Sequence, residues 1–246
     1  MKARFSFGNS IFKCDLSHGI DISIPHTKPL AWNSPDVIID PVESGDWVGS
    51  VDRGASVNFY NVRFNPHGTG THTEGPGHIL PGKPSINSFV PKGIMLSLLL
   101  SVFPEETDQG YAVTKGALEE IWPDDIYFPA LILRTLPNDE HYKTNDRSNL
   151  NPPYITPEAM DFIVQKRIEH LLFDQPSVDP EVDGGALASH RIFWNMHRNM
   201  REDCTITELI YVPNEVKDGF YALNIQTAPF ENDALPSRPI IYPVEF

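Results

Sequence analysis

Residues 65–79 read Asn65-Pro66-His67-Gly68-Thr69-Gly70-Thr71-His72-Thr73-Glu74-Gly75-Pro76-Gly77-His78-Ile79. Three of the nine histidines, His67, His72 and His78, fall in this stretch, with Glu74 between the last two. Imidazole and carboxylate make up a nitrogen/oxygen ligand set that suits Zn, Mn, Fe or Ni. Four glycines and two prolines share the segment, so it is neither a regular helix nor a central strand. A glycine-rich loop instead lets ligand side chains converge on a small volume. Three histidines and a Glu within twelve residues read as a metal-binding or catalytic loop rather than as scattered solvated side chains.

Working outward, the 246 residues are 40% hydrophobic and 21% charged, a globular composition. The formal net charge of −14 argues against nucleic acid or an anionic membrane as partner, since both need basic patches. It suits a divalent cation and a small neutral or zwitterionic substrate. The two cysteines, Cys14 and Cys204, form no CxxC pair, so a thiolate zinc site is not available and a reducing compartment is expected. The first residues lack the apolar run of a signal peptide. No stretch reaches the roughly 18 apolar residues of a membrane span. A soluble, cytoplasmic protein is the expectation.

Ile20, Ile22 and Ile24 alternate with polar residues up to Pro25, the period of a half-buried strand. His18, just before them, reads as structural. Residues 26–50 read as loop. Residues 55–64 alternate again and deliver the chain into the His-rich loop, as a rigid strand delivers ligands to a site. Residues 93–103 and 130–136 are continuous apolar runs, the pattern of strands buried on both faces. Thr114 to Trp122 reads as a short helix capped by Thr114. The polar segment 137–153 reads as a long loop, suited to a lid. Thr156-Pro157-Glu158 opens a helix expected to run to about Glu169, with Thr as cap, Pro at the first position and Glu in the first turn. Strands are expected at 170–174, 206–212, 220–227 and, more weakly, 239–245. With no repeat and no composition shift, residues 1–246 read as one domain of mixed α/β type.

Two downstream stretches place polar groups beside apolar strands: Asp174-Gln175-Pro176-Ser177-Val178-Asp179, and the span from His190 to Glu208. Taken alone, His190 would read as a helix-surface residue and Glu208 as solvated.

The loop Gly70-Thr71-His72-Thr73-Glu74-Gly75-Pro76-Gly77-His78 resembles the HxGTHxDxPxH signature of the cyclase family, which includes bacterial kynurenine formamidases and isatin hydrolase. Asp15-Leu16-Ser17-His18 and the 174–179 segment resemble further landmarks of that family. The resemblance implies a swivelling β/β/α domain with a mixed sheet, a homodimer or homotetramer, and a divalent metal, Zn or Mn. Carried over residue by residue, it implies His67, His72, Glu74, His190 and Glu208 as metal ligands and His78 as the acid/base. The sequence departs from the signature in three places. The family's first histidine falls at Gly68, with His67 one residue earlier; the acid is Glu rather than Asp; and the gap from His190 to Glu208 is long, which leaves His197 as a rival ligand.

The implied chemistry is hydrolysis of a linear amide of the arylformamide, N-formylkynurenine type. A bound cation lowers the pKa of its water from about 15.7 to about 7, the resulting hydroxide attacks the carbonyl, and His78 shuttles the proton. Trp32, Phe64, Phe89 and Trp194 are candidate walls for an aromatic substrate. The alternatives are hydrolysis of a lactone or cyclic amide, cyclase or dehydratase chemistry at the same site, and a metal-free binding protein.

Overall fold

The apolar runs divide their side chains between two cores. In a computed structural model, which describes residues 1–7, 10–82, 85–123, 126–196 and 199–245, ten strands form one sheet. They are β1 (Lys2–Phe7), β2 (Ser10–Asp15), β3 (Ile20–Asp21), β4 (His72–Glu74), β5 (Ile94–Val102), β6 (Ala130–Thr135), β7 (His170–Phe173), β8 (Thr205–Glu208), β9 (Gly219–Thr227) and β10 (Ala234–Glu245). Strands β5, β6, β7 and β8 run parallel in that order. Antiparallel β4 follows β8 and pairs back onto β10, while β9 joins β10 to β5. The order β10-β9-β5-β6-β7-β8-β4 therefore closes into a seven-stranded mixed barrel. Residues 1–15 add a hairpin at its edge.

Alternation along each strand explains the two cores. Leu99, Ile132, Leu172 and Leu223 pack inside the ring. Leu98, Leu100, Leu131, Phe173 and Ile206 face outward onto the helices α2 (Lys115–Ile121), α3 (Pro157–Gln165) and α4 (Ala188–Phe193). A strand covered on both faces has no polar phase, which is why 93–103 and 130–136 read as unbroken apolar runs. The caps form as expected: the side chains of Thr114 and Thr156 accept from the backbone N–H of Ala117 and Ala159. Among the described residues no helix is long and apolar enough to cross a membrane.

Several boundaries differ from the sequence reading, each for a local reason. Helix α3 stops at Gln165 because Arg167 takes φ +63, where the chain leaves the helix. The strand expected over 206–212 ends at Glu208 because Leu209 turns the chain at φ +56. The last strand starts at Ala234, well before residue 239. The strand expected over 55–64 is only Tyr60–Arg63; it pairs with Ile38–Pro41 outside the barrel and is exposed throughout. The 26–50 segment is not all loop, since it supplies that partner strand and a small hairpin, Glu43–Ser44 with Trp47–Val48. Within the 137–153 loop, Arg147 is buried and donates to the carbonyl of Asp174 and to Gln175 Oε1, which ties that loop to the core.

Candidate metal centre

The His-rich loop is held by its own small residues. Asn65 caps the single turn α1 (Pro66–Thr69) by accepting from His67 N, with Pro66 at its first position. His26 contacts Thr69 Oγ1 at 2.8 Å and the Thr71 carbonyl at 3.0 Å. Thr71 Oγ1 accepts from Ile24 N at 2.7 Å. Gly68 explains the shifted histidine: a Cβ there would lie 2.4 Å from Ser34 Oγ and 2.9 Å from the Ala31 carbonyl. No side chain fits at that position, and His67 supplies the imidazole from one residue earlier.

Strand β4 then lays its residues against β8 in register, His72 opposite Glu208 and Thr73 opposite Thr207. The two threonine hydroxyls meet at 2.8 Å on one face, which leaves His72, Glu74 and Glu208 together on the other. There His72 Nε2 lies 3.4 Å from Glu208 Oε2. Helix α4 brings His190, whose Nε2 is 3.0 Å from Glu74 Oε1 and 3.8 Å from Glu208 Oε1. From α1 and the turn after β4, His67 Nδ1 reaches 3.2 Å and His78 Nδ1 3.7 Å from Glu74 Oε2. All six residues named from the sequence thus converge around Glu74. His197 lies outside the described residues, and His18 is exposed at the far hairpin beside Asp15.

The far nitrogens of these rings are also held. His72 Nδ1 donates to the Gly70 carbonyl at 3.1 Å. His190 Nδ1 donates to Asp179 Oδ2 at 2.5 Å, and Asp179 is itself fixed by the backbone N–H of Ser189 and His190. A carbonyl or carboxylate can only accept, so in both rings Nδ1 carries the proton and Nε2 faces the cluster. Sequence reading placed Asp179 in a landmark segment without giving it this task. It missed Asp233, whose Oδ2 lies 2.9 Å from His67 Nε2 and 3.4 Å from His78 Nδ1. No histidine stands near Asp233 in the chain, and its only acidic neighbour, Glu231, is exposed and accepts from Asn87, so the sequence carried no signal for it.

Electrostatics show what this cluster lacks. Burial, with Glu74 nearby, pushes the Glu208 carboxyl up to about 8. Burial, reinforced by His67, takes His72 down to about 3. Burial also opposes charge on His67, but Asp233 and Glu74 outweigh it and raise this ring to about 10. His190 is held well above the ordinary histidine range by Asp179 and Glu74 against the same burial cost. His72 Nε2 is buried with no hydrogen-bond partner, and Glu74 Oε2 is served only by the His67 and His78 rings, at 3.2 and 3.7 Å. An unpaired acceptor in such a place is costly unless a cation serves it. Two groups could hold an ion, His67/Glu74/His78 and His72/Glu74/Glu208, each with ligand atoms within 4.8 Å of one another and both sharing Glu74. The residues present fit a divalent cation.

A cavity of about 490 Å³ opens beside the cluster, lined by His67, His78 and Asp233 together with Phe64, Arg63 and Asp36. Of the four aromatic candidates only Phe64 stands on that wall. Trp194 is fully buried, donates to the Cys204 carbonyl and supports His190 from beneath at 5.5 Å between ring centroids, so it cannot touch a substrate. Trp32 lines a different hollow, beside Asn33 and Asn151. Phe89 caps the turn Ile86–Ser88 and is not among the residues of the wall.

Residues 14–180 match the Cyclase family model, and the chain belongs to this family. Its curated relatives include kynurenine formamidases from Bacillus thuringiensis (strain Al Hakam), 29% identical, and from Bacillus anthracis, 28% identical; each alignment covers 93% of this chain and 99% of the relative. Solved structures of the same fold include an isatin hydrolase bound to the product analogue thioisatinate, with TM-score 0.64, 15% identity and 92% of each chain covered. Another is a protein described as a predicted metal-dependent hydrolase from Bacillus stearothermophilus, with TM-score 0.64, 16% identity, and 92% of this chain and 98% of that one covered.

Proposed function

We propose that this chain is a metal-dependent hydrolase of amides, and that its substrate is a linear arylformamide of the N-formylkynurenine type. One observation carries the metal part: His72 Nε2 is buried with no hydrogen-bond partner, on the face it shares with Glu74 and Glu208. The relatives at nearly full coverage support the choice of substrate.

His67, His72, Glu74, His190 and Glu208 would hold the ion, which we take to be Zn or Mn. When bound, a divalent cation polarises an amide carbonyl and brings the pKa of water from about 15.7 to about 7. Phe64 flanks the substrate's ring on the cavity wall. His78 takes the proton of the attacking water and delivers it to the leaving nitrogen, which departs as a neutral amine rather than an amide anion. The products are formate and the arylamine.

The test uses protein purified without chelator, analysed for metal, and assayed on arylformamides, cyclic amides, lactones and hydroxy acids. Release of formate and amine is expected, and His72→Ala and Glu208→Ala should lose both metal and rate. Metal content and rate unchanged in both variants would end this assignment. Turnover restricted to cyclic amides or lactones would replace the linear substrate with a ring. Absence of any stoichiometric ion would leave a binding protein on the same scaffold.

A further inference from the structure

We infer that Asp233 is a positioning residue, a single carboxylate that presents Nδ1 of His67 to the metal cluster and, by holding the proton of His78 on Nδ1, leaves Nε2 of His78 free to exchange one. The inference rests on the metal part of the reading above. His72 and His190 both turn Nε2 inward, because Gly70 and Asp179 occupy their Nδ1 atoms. His67 is reversed: Nε2 is 2.9 Å from Asp233 Oδ2, and Nδ1 is 3.2 Å from Glu74 Oε2. A histidine ligand is commonly oriented through its other nitrogen by a carboxylate or carbonyl, and that partner selects which nitrogen binds.

The reversal follows from the backbone. Gly68 has no room for a Cβ, so the imidazole comes from α1 one residue earlier. Asp233 meets it from a rigid position. It directly precedes β10, whose Ala234 is paired with Glu74, and the Asp233 carbonyl accepts from Gly75 N at 3.3 Å. The same Oδ2 lies 3.4 Å from His78 Nδ1, and a proton held there leaves Nε2 as the nitrogen that can exchange one. Asp233 therefore ties the outer ligand to the acid/base residue through one atom.

The experiment compares wild-type protein with Asp233→Ala, Asp233→Asn and Asp233→Glu, using zinc alone as probe. Zinc affinity is measured by competition with a chromogenic chelator, and the zinc-bound ring nitrogens are assigned from 15N chemical shifts. In wild-type protein, His67 should bind through Nδ1 while His72 and His190 bind through Nε2. Asp233→Ala should weaken zinc binding by about 10- to 100-fold and abolish the Nδ1 signature of His67, with partial recovery in Asp233→Glu. Wild-type zinc bound through Nε2 of His67 overturns the inference without any variant having to fold. Equal affinity and the same bound nitrogen in Asp233→Ala would overturn it too. Neither readout uses an amide, so a protein that holds zinc through Nδ1 but hydrolyses no formamide loses its proposed substrate and keeps this inference.

Discussion

The site has a deep half and a shallow half. His72, His190 and Glu208 are 0%, 2% and 3% exposed, whereas the side chains of His67 and His78 are 21% and 28% exposed and stand on the cavity wall. The deep rings are fixed by a backbone carbonyl and by a buried carboxylate that two backbone N–H groups hold in place. The shallow rings share one carboxylate, Asp233. Glu74 touches both halves. The contrast points to a division of labour: the deep half offers a buried ring nitrogen, His72 Nε2, with no partner but a cation to serve it, and the shallow half can reach a substrate.

The strongest way to break this division is to remove Glu74, the carboxylate common to both halves. Glu74→Gln should abolish stoichiometric metal and lower the hydrolytic rate by at least about 10³-fold, because the several kcal/mol a bound cation contributes is lost. Elemental analysis and a formamide assay on the same preparation check it. A variant that keeps its ion would show that the two halves do not depend on Glu74. His78→Ala sharpens the contrast from the other side. It should cost about 10²- to 10⁴-fold in kcat, the usual scale for a lost acid/base, while metal content stays constant. Loss of the ion instead would place His78 with His67 and Glu74 among the ligands.

A smaller effect is expected at the support of the deep half. Asp179→Asn keeps the shape but replaces a carboxylate that fixes the proton of His190 on Nδ1. Metal affinity should fall by about 10- to 100-fold, and the same chelator competition measures it. An unchanged affinity would mean that burial alone orients His190.

Legibility from the sequence followed the same line. His67, His72, Glu74 and His78 announce themselves because they crowd one short loop. His190 and Glu208 are legible only through the resemblance, since taken singly each would pass for a solvated residue, and only the β4–β8 register and α4 reveal that they are buried with the loop. Asp233 meets His67 across 166 residues of chain, and the orienting role of Asp179 depends on the turn that brings it back under α4. The apolar strands were readable because both faces of the barrel wall are covered. The outer hairpin at 38–63 was not: its Val57, Phe59 and Val62, set among polar residues, imitate a half-buried strand yet are all exposed. Trp194 was misread for a related reason, since an aromatic four residues after His190 can lie beneath that ring instead of inside the site.

The smallest expected effect compares the cluster with a buried histidine outside it. His170 sits at the start of β7, with Nδ1 2.9 Å from Thr205 Oγ1. Burial, with Arg201 nearby, lowers its pKa to about 4 from an ordinary 6.5. The unfolded chain therefore binds this proton below about pH 6.5 while the folded chain refuses it until about pH 4. Its contribution to stability is complete above pH 6.5 and is lost as pH falls through that window. For protein kept free of metal by chelator, this one residue should cost about 1 kcal/mol between pH 7 and pH 5.5. Urea unfolding of wild-type protein and His170→Asn at the two pH values isolates it, because the variant keeps a polar partner for Thr205 and loses the titration. Parallel pH dependence in the two proteins would mean that His170 adds nothing to the acid sensitivity, which would then arise from other buried groups such as His26, also lowered to about 4 by burial.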